Sequence, residues 1–197
     1  AASHISVANS LELGAKFSDE IWGLFSLQNE IEDSYARYDA TVALGELVST
    51  RILAEFLKLK GYDACWWDVR QTIKTDSRHK SARVDENAMA ENGKEMMEKL
   101  NSHQIIVTQG FIGRSPDGAT TTLGREESDY SAALLACAAS AVEVNIWKDV
   151  QGMHNADPRI FEDTITVEKL DYHEALELSY YGASVIHPRT VKPLQNR

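Results

Sequence analysis

Little in this chain favours nucleic acid, membrane or zinc. No cluster of lysine and arginine occurs along its 197 residues, and 30 acidic against 20 basic side chains leave a formal charge of -10. A protein that neutralises a phosphate backbone needs a basic face, so nucleic acid is excluded as a partner. No apolar run approaches membrane-spanning length, and the first residues, Ala1-Ala-Ser-His-Ile-Ser6, have neither a basic start nor an apolar signal core. The expectation is a soluble, cytoplasmic protein with no membrane partner. The two cysteines, Cys65 and Cys137, are far apart, in apolar surroundings, with no Cys or His at metal-ligand spacing; buried reduced thiols are expected rather than a disulfide or a metal site. No Gly-x-Gly-x-x-Gly follows a strand pattern, which sets aside a dinucleotide-binding oxidoreductase. Internal repeats and low-complexity linkers are also lacking.

What is present is a length and a 43% hydrophobic composition sufficient for one domain with a sizeable core, or for most of a larger one. The first 17 residues are weakly patterned and read as a loose tail. Ile21, Trp22, Leu24, Phe25, Leu27, Ile31 and Tyr35 then recur at roughly helical spacing after Ser18-Asp19-Glu20, predicting a helix. A second helix is expected from Thr41, with Val42, Leu44, Leu47, Val48, Ile52, Leu53, Phe56 and Leu57 on one face and Gly61 at its C-terminal cap. Gly45 in its first turn suggests close approach by a backbone or ligand, or a packing contact.

Tyr62 to Val69 predicts a strand in which Trp66 and Trp67 pack on the sheet, and residues 70–85 a polar connection. A charged helix over about 87–100 leads into Gln104-Ile-Ile-Val-Thr-Gln-Gly110, which has the form of a buried parallel strand. Pro116-Asp-Gly118 makes a turn, so residues 111–123 predict a hairpin. Next come a helix rich in alanine from about Ser128, a strand over Glu143–Val150, a loop with Asp157-Pro-Arg159, and a helix over about 172–181. Strands alternating with helices indicate an α/β fold, a mainly parallel sheet with helices on both faces.

The segment Thr120-Thr-Thr-Leu-Gly-Arg-Glu-Glu-Ser-Asp-Tyr-Ser131 organises the rest. It reads as strand, turn and helix N-terminus, with Ser128 or Asp129 as the cap. N–H groups and the positive end of the helix dipole gather there and suit a carboxylate or phosphate, and Arg125 adds a planar fork for a carboxylate. Taken alone, the pattern fits a capped surface helix with a solvated charge cluster equally well.

With Leu44-Gly-Glu46, Gly110-Phe-Ile-Gly113, Ile146-Trp-Lys-Asp-Val-Gln-Gly152, Ala156-Asp-Pro-Arg159 and Gly182-Ala-Ser-Val-Ile-His-Pro188 in the same order, the chain resembles the aspartate kinases of the amino-acid kinase family across about residues 40–197. The resemblance implies transfer of the γ-phosphoryl group of ATP to the side-chain carboxylate of L-aspartate with Mg²⁺ present, giving 4-phospho-L-aspartate, the first step towards lysine, threonine and methionine. It implies a homo-oligomer for the full-length protein and no protein metal site. Arg125 would hold the aspartate carboxylate and Glu46 answer its ammonium group. Ser128 and Asp129 would complete that pocket, with Arg125 and Asp129 as the catalytic pair. Lys148 and Asp149 would border the nucleotide, Arg159 would meet its phosphates, and His154, Ser184 and Val185 would line the rest of the site. Kinases of glutamate or N-acetylglutamate share the fold, but the Gly-Arg-x-x-Ser-Asp-Tyr element favours aspartate.

Some positions depart from the family pattern. Glu126 and Glu127 stand where the family usually has at least one glycine, beside an anion site that they would repel unless they point outward. Ser184 and His154 replace a lysine and a tyrosine common in nucleotide contact. The family's opening strand, with its Lys-Phe-Gly-Gly phosphate cradle, and its C-terminal ACT domains have no counterpart in these 197 residues. The expectation is therefore a single partial amino-acid kinase catalytic domain over residues 1–197, inactive by itself. The alternative is a non-catalytic binding or assembly module derived from such a kinase.

Overall fold

The computed structural model describes residues 2–26, 31–124, 127–180 and 185–195. The chain divides into two compact units, Ala1–Arg125 and Glu126–Arg197, which are taken in turn.

The first unit opens with helices, not with a tail. Helix α1 (Ala2–Ser10) and α2 (Ala15–Ser26) pack on each other and on the long α3 (Ser34–Leu59). Ala8, Ile21, Val48 and Ile52 form a buried cluster there, flanked by Ile5, Leu11, Leu13, Phe17 and Phe25. Short, weakly amphipathic α1 gives little periodic signal by itself; tertiary burial of Ala8 and Ile5 supplies what its sequence pattern does not. The helix expected to run through Tyr35 is also corrected. Asp33 accepts the Ala36 N–H at 2.7 Å and so caps a new helix, α3, one residue later. Tyr35 belongs to that helix. At its other end Gly61 adopts φ +86° and the Tyr62 N–H returns to the Leu57 carbonyl at 3.0 Å, the left-handed closure expected of a glycine there.

Strand β1 (Ala64–Trp66) pairs in parallel with β2 (Ile105–Val107), joined through α4 (Glu86–Ser102), with Ala64 opposite Ile105 and Trp66 opposite Val107. Helix α3 packs on both strands and α4 on β2, the layered arrangement of an α/β protein. The first strand is shorter than expected because Asp68 accepts the Arg70 N–H and turns Val69–Gln71 into a 3₁₀ turn. Trp67 is buried and donates to Thr72 Oγ1 at 3.0 Å, whereas Trp66 donates to Thr50 Oγ1 at 3.1 Å on α3; both are packing residues. The expected hairpin is present: β3 (Ile112–Arg114) runs antiparallel to β4 (Thr120–Thr122), and Gly118 turns between them at φ +89°. Gly113 sits so close to the preceding segment that a Cβ there would lie 2.6 Å from Thr75 Cγ2 and 3.0 Å from the Ile73 carbonyl.

The second unit holds α5 (Ser128–Ala138), α6 (Tyr172–Tyr180) and α7 (Pro188–Val191), with α7 packed on both other helices. Residues 143–150, expected as a strand, are not one. A strand needs a ladder partner, and none pairs with this segment among the described residues. Val142 and Trp147 are correspondingly open to solvent, at 104% and 93% relative exposure. The loop beyond is tied by its own hydrogen bonds, Asn155 N–H to the Ile165 carbonyl at 3.1 Å and Val167 N–H to the Met153 carbonyl at 2.8 Å. Cys65 and Cys137 are free thiols, half-buried rather than buried. Among the described residues no helix is long and apolar enough to cross a membrane.

Candidate nucleotide site

In the second unit a cavity of about 670 Å³ opens beside the first turn of α5. That is within the range of roughly 300–1,000 Å³ usual for small-molecule and cofactor sites. Of the residues singled out in the sequence it brings together Asp129, Lys148, Asp149, His154, Arg159 and Val185. Arg125 and Ser184 lie outside the described residues. Ser128 is exposed at the start of α5 and is not part of this lining. Glu46 belongs to the first unit.

The cavity's charges are arranged in pairs. Lys148 Nζ lies 2.7 Å from Asp129 Oδ2, with the two side chains 34% and 15% exposed. Arg159 grips its near neighbour Asp157 by a fork, Nε to Oδ1 at 3.1 Å and Nη2 to Oδ2 at 2.7 Å. That grip, reinforced by the Arg159 backbone N–H, holds the Asp157 carboxyl down to about 2 and pushes the Arg159 guanidinium up. Asp149 lines the cavity without an ion-pair partner among the described residues. Three carboxylates against two cations leave one negative charge in excess, so a polyanionic ligand requires either an added cation or release of a cation already there.

Gly152, at φ +118°, bends the loop from Lys148 towards His154, and its Cβ position would meet Thr166 Cγ2 at 3.4 Å. His154 pairs across to Thr166 as an isolated antiparallel bridge. Its Nδ1 is buried with no hydrogen-bond partner among the described residues, an unmet polar demand in the cavity wall.

The helix start differs from expectation in a way that matters for charge. Neither Ser128 nor Asp129 caps α5; Glu127 holds the cap position and makes no side-chain cap hydrogen bond. Its carboxylate is 7% exposed and meets Arg189 Nη1 at 2.7 Å instead. The Arg189 guanidinium also lies over the Tyr130 ring, 4.9 Å from the centroid. Thus Glu127 does not point outward, yet its charge is answered by α7 and does not stand free beside an anion site. Glu126 lies outside the described residues.

The first unit contains a residue that sequence reasoning missed. Asp39 on α3, fully buried, accepts the Thr122 hydroxyl at 2.8 Å, the Thr122 N–H at 3.1 Å and the Lys80 N–H at 2.9 Å, and meets His79 Nδ1 at 3.0 Å. It thereby ties α3 to β4 two residues before Gly124. The available signal was an aspartate on the helix face otherwise occupied by Ala43 and Leu44. Glu46, a further two turns along α3, accepts the Gly110 N–H at 3.3 Å just beyond β2.

The sequence model of the Amino acid kinase family matches residues 3–197. The chain belongs to the amino acid kinase family. It is 42% identical over 161 residues to lysine-sensitive aspartokinase 3 of Escherichia coli (strain K12), covering 81% of this chain and 36% of that one. With aspartokinase 2 of Bacillus subtilis (strain 168) it shares 36% identity over 187 residues, 92% of this chain and 43% of the relative. The crystal structure of E. coli aspartokinase III in complex with aspartate and ADP superposes with a TM-score of 0.82 at 38% identity, covering 90% of this chain and 40% of that one. This family member therefore has the α/β fold of the aspartokinases, and it spans about two-fifths of the length of these relatives.

Proposed function

We propose that this chain is the part of an aspartate kinase that receives ATP, and that the whole enzyme transfers the γ-phosphoryl group to the side-chain carboxylate of L-aspartate, giving 4-phospho-L-aspartate. The observation that carries the reading is the cavity in which Asp129, Lys148, Asp149, His154, Arg159 and Val185 meet. Two aspartokinase relatives, and a solved aspartokinase holding aspartate and ADP, support it. On this reading residues 1–197 are one partial catalytic domain, acting in the cytoplasm within a longer homo-oligomeric enzyme.

The chemistry asks little covalent work of the protein. Aspartate's side-chain carboxylate is ionised near pH 7 and needs no general base. Catalysis reduces to aligning two anions and neutralising charge on the moving group, through positioned cations and N–H donors. Lys148 and Asp149 border the nucleotide, Arg159 faces its phosphates from the rim, and His154 and Val185 form the wall, with Ser184 assigned beside Val185 by resemblance. The aspartate side is assigned from the sequence alone: Arg125 to the carboxylate, Glu46 to the ammonium group, Ser128 and Asp129 to the rest of the pocket. Mg²⁺ enters with the nucleotide. On this reading the ion is held mainly by phosphates and water, with one or two protein carboxylates. Asp149, in the cavity lining, would face it.

ATP-dependent hydroxamate formation, run with Mg²⁺ on this chain and on its N-terminally extended parent, tests the reading. L-aspartate is expected to give the hydroxamate, and glutamate and N-acetylglutamate none. An extended protein inert with aspartate, or preferring another acid, overturns it.

A further inference from the structure

We infer that Lys148 is the cation that binds the terminal phosphates of the nucleotide, held towards them by Asp129. This rests on the reading of the cavity as the ATP site, and it gives one residue a role that the sequence leaves general.

Of the two cations in the lining, Arg159 has its fork closed on Asp157 through both Nε and Nη2, and its side chain is 80% exposed at the rim. Opening that fork takes from the Asp157 carboxylate the partner that chiefly stabilises its charge. Lys148 is differently placed. Its side chain is only 34% exposed, and among the described residues Nζ makes one ion pair, 2.7 Å to Asp129 Oδ2. An ammonium carries three N–H donors. One spent on Asp129 leaves two for phosphate oxygens, so Lys148 can bind a polyphosphate without giving up its partner. Asp129, 15% exposed on the first turn of α5, keeps the flexible lysine stem from snorkelling into solvent. Asp129 is on this account a positioning residue and Lys148 the ligand.

Asp149, a cavity carboxylate with no ion-pair partner among the described residues, then has a separate use facing the cation that accompanies the nucleotide.

Calorimetric titration of the 197-residue chain with MgATP and, separately, with adenosine tests the inference. Lys148→Met is expected to weaken MgATP by about tenfold or more, the loss of one charge-assisted hydrogen-bonded contact, while adenosine binding stays within about twofold. Lys148→Arg is expected to retain most of the MgATP affinity. Asp129→Asn should weaken MgATP binding in the native chain and should not weaken it further in Lys148→Met, a coupled pair in a double-mutant cycle. Unchanged circular dichroism of each variant separates these effects from misfolding. If the native chain binds MgATP and Lys148→Met binds it as well, or loses ATP and adenosine equally, the role of Lys148 is overturned while the nucleotide site stands. Additive effects of the two substitutions overturn the part given to Asp129. If the native chain binds no MgATP, the site reading and this inference fall together.

Discussion

Arg189 Nη1 lies 2.7 Å from Glu127 Oε1, joining the last helix of the chain to the residue that begins α5. The contact fixes where α5 starts and answers a charge that the sequence alone places beside an anion site. Glu127 is almost fully covered and its Oε2 has no hydrogen-bond partner among the described residues, so Arg189 is its main compensation there. Removing Arg189 leaves that carboxylate buried and unpaired. Arg189→Ala is expected to destabilise the protein by about 1–3 kcal/mol, less than a fully buried pair because the arginine is half-exposed. Urea unfolding should show a lower midpoint for Arg189→Ala, with Arg189→Lys in between.

Asp39 offers a sharper test of the first unit. It is a buried acceptor for Thr122 and Lys80 together, and an alanine there strands several donors at once. Asp39→Ala is expected to cost about 3–5 kcal/mol, near the whole stability of a small unit, and Asp39→Asn less, since one oxygen remains to accept. Soluble yield and thermal melting of both variants check it. An Asp39→Ala protein that melts with the native one contradicts the anchoring role.

Two glycines should respond in opposite directions. Gly113 has no room for a methyl group, with Thr75 Cγ2 2.6 Å from the Cβ position. Gly113→Ala is expected to cost about 1–3 kcal/mol by overpacking. Gly45, within α3, meets nothing within 4 Å of its Cβ position among the described residues. Gly45→Ala is expected to stabilise by about 0.5–1 kcal/mol through helix propensity. Denaturation of the two single variants gives both signs in one experiment. Among the described residues neither a packing contact nor a close backbone approach accounts for Gly45.

The pH dependence of the second unit follows from Asp157. Its pKa is lowered to about 2, first by the Arg159 side-chain hydrogen bond. A carboxyl with a depressed folded pKa adds stability above its unfolded value of roughly 4, and that stability fades as pH falls towards the folded value. The melting difference between the native protein and Asp157→Asn should therefore be constant above about pH 5 and shrink between about pH 4 and pH 2. A difference that grows as pH falls contradicts the pairing.

The sequence was most legible where one residue type has a local job. Gly61 and Gly118 take the left-handed conformations their turns require, and the hairpin falls where Pro116-Asp-Gly118 placed it. The short apolar run at Ile105–Val107 pairs in parallel as expected. It was least legible where tertiary partners decide. Helix α1 depends on burial against α2 and α3, and Asp33 overrides an apolar spacing that runs straight through it. Residues 143–150 have strand composition but no ladder partner, and composition cannot supply one. In the cavity, the residue identities could be read from the motifs. The pairing of Lys148 with Asp129 and of Glu127 with Arg189, separated by 19 and 62 positions respectively, could not.

The position at which a nucleotide binds decides whether the cavity beside α5 is the ATP site. Photolabelling of the chain with 8-azido-ATP, followed by peptide mapping, reads that position. Label on peptides spanning residues 148–159 or 185–187, lost when unmodified MgATP is added in excess, is the expected result. Label confined to the first unit, or label in the second that excess MgATP does not displace, contradicts the assignment of the cavity.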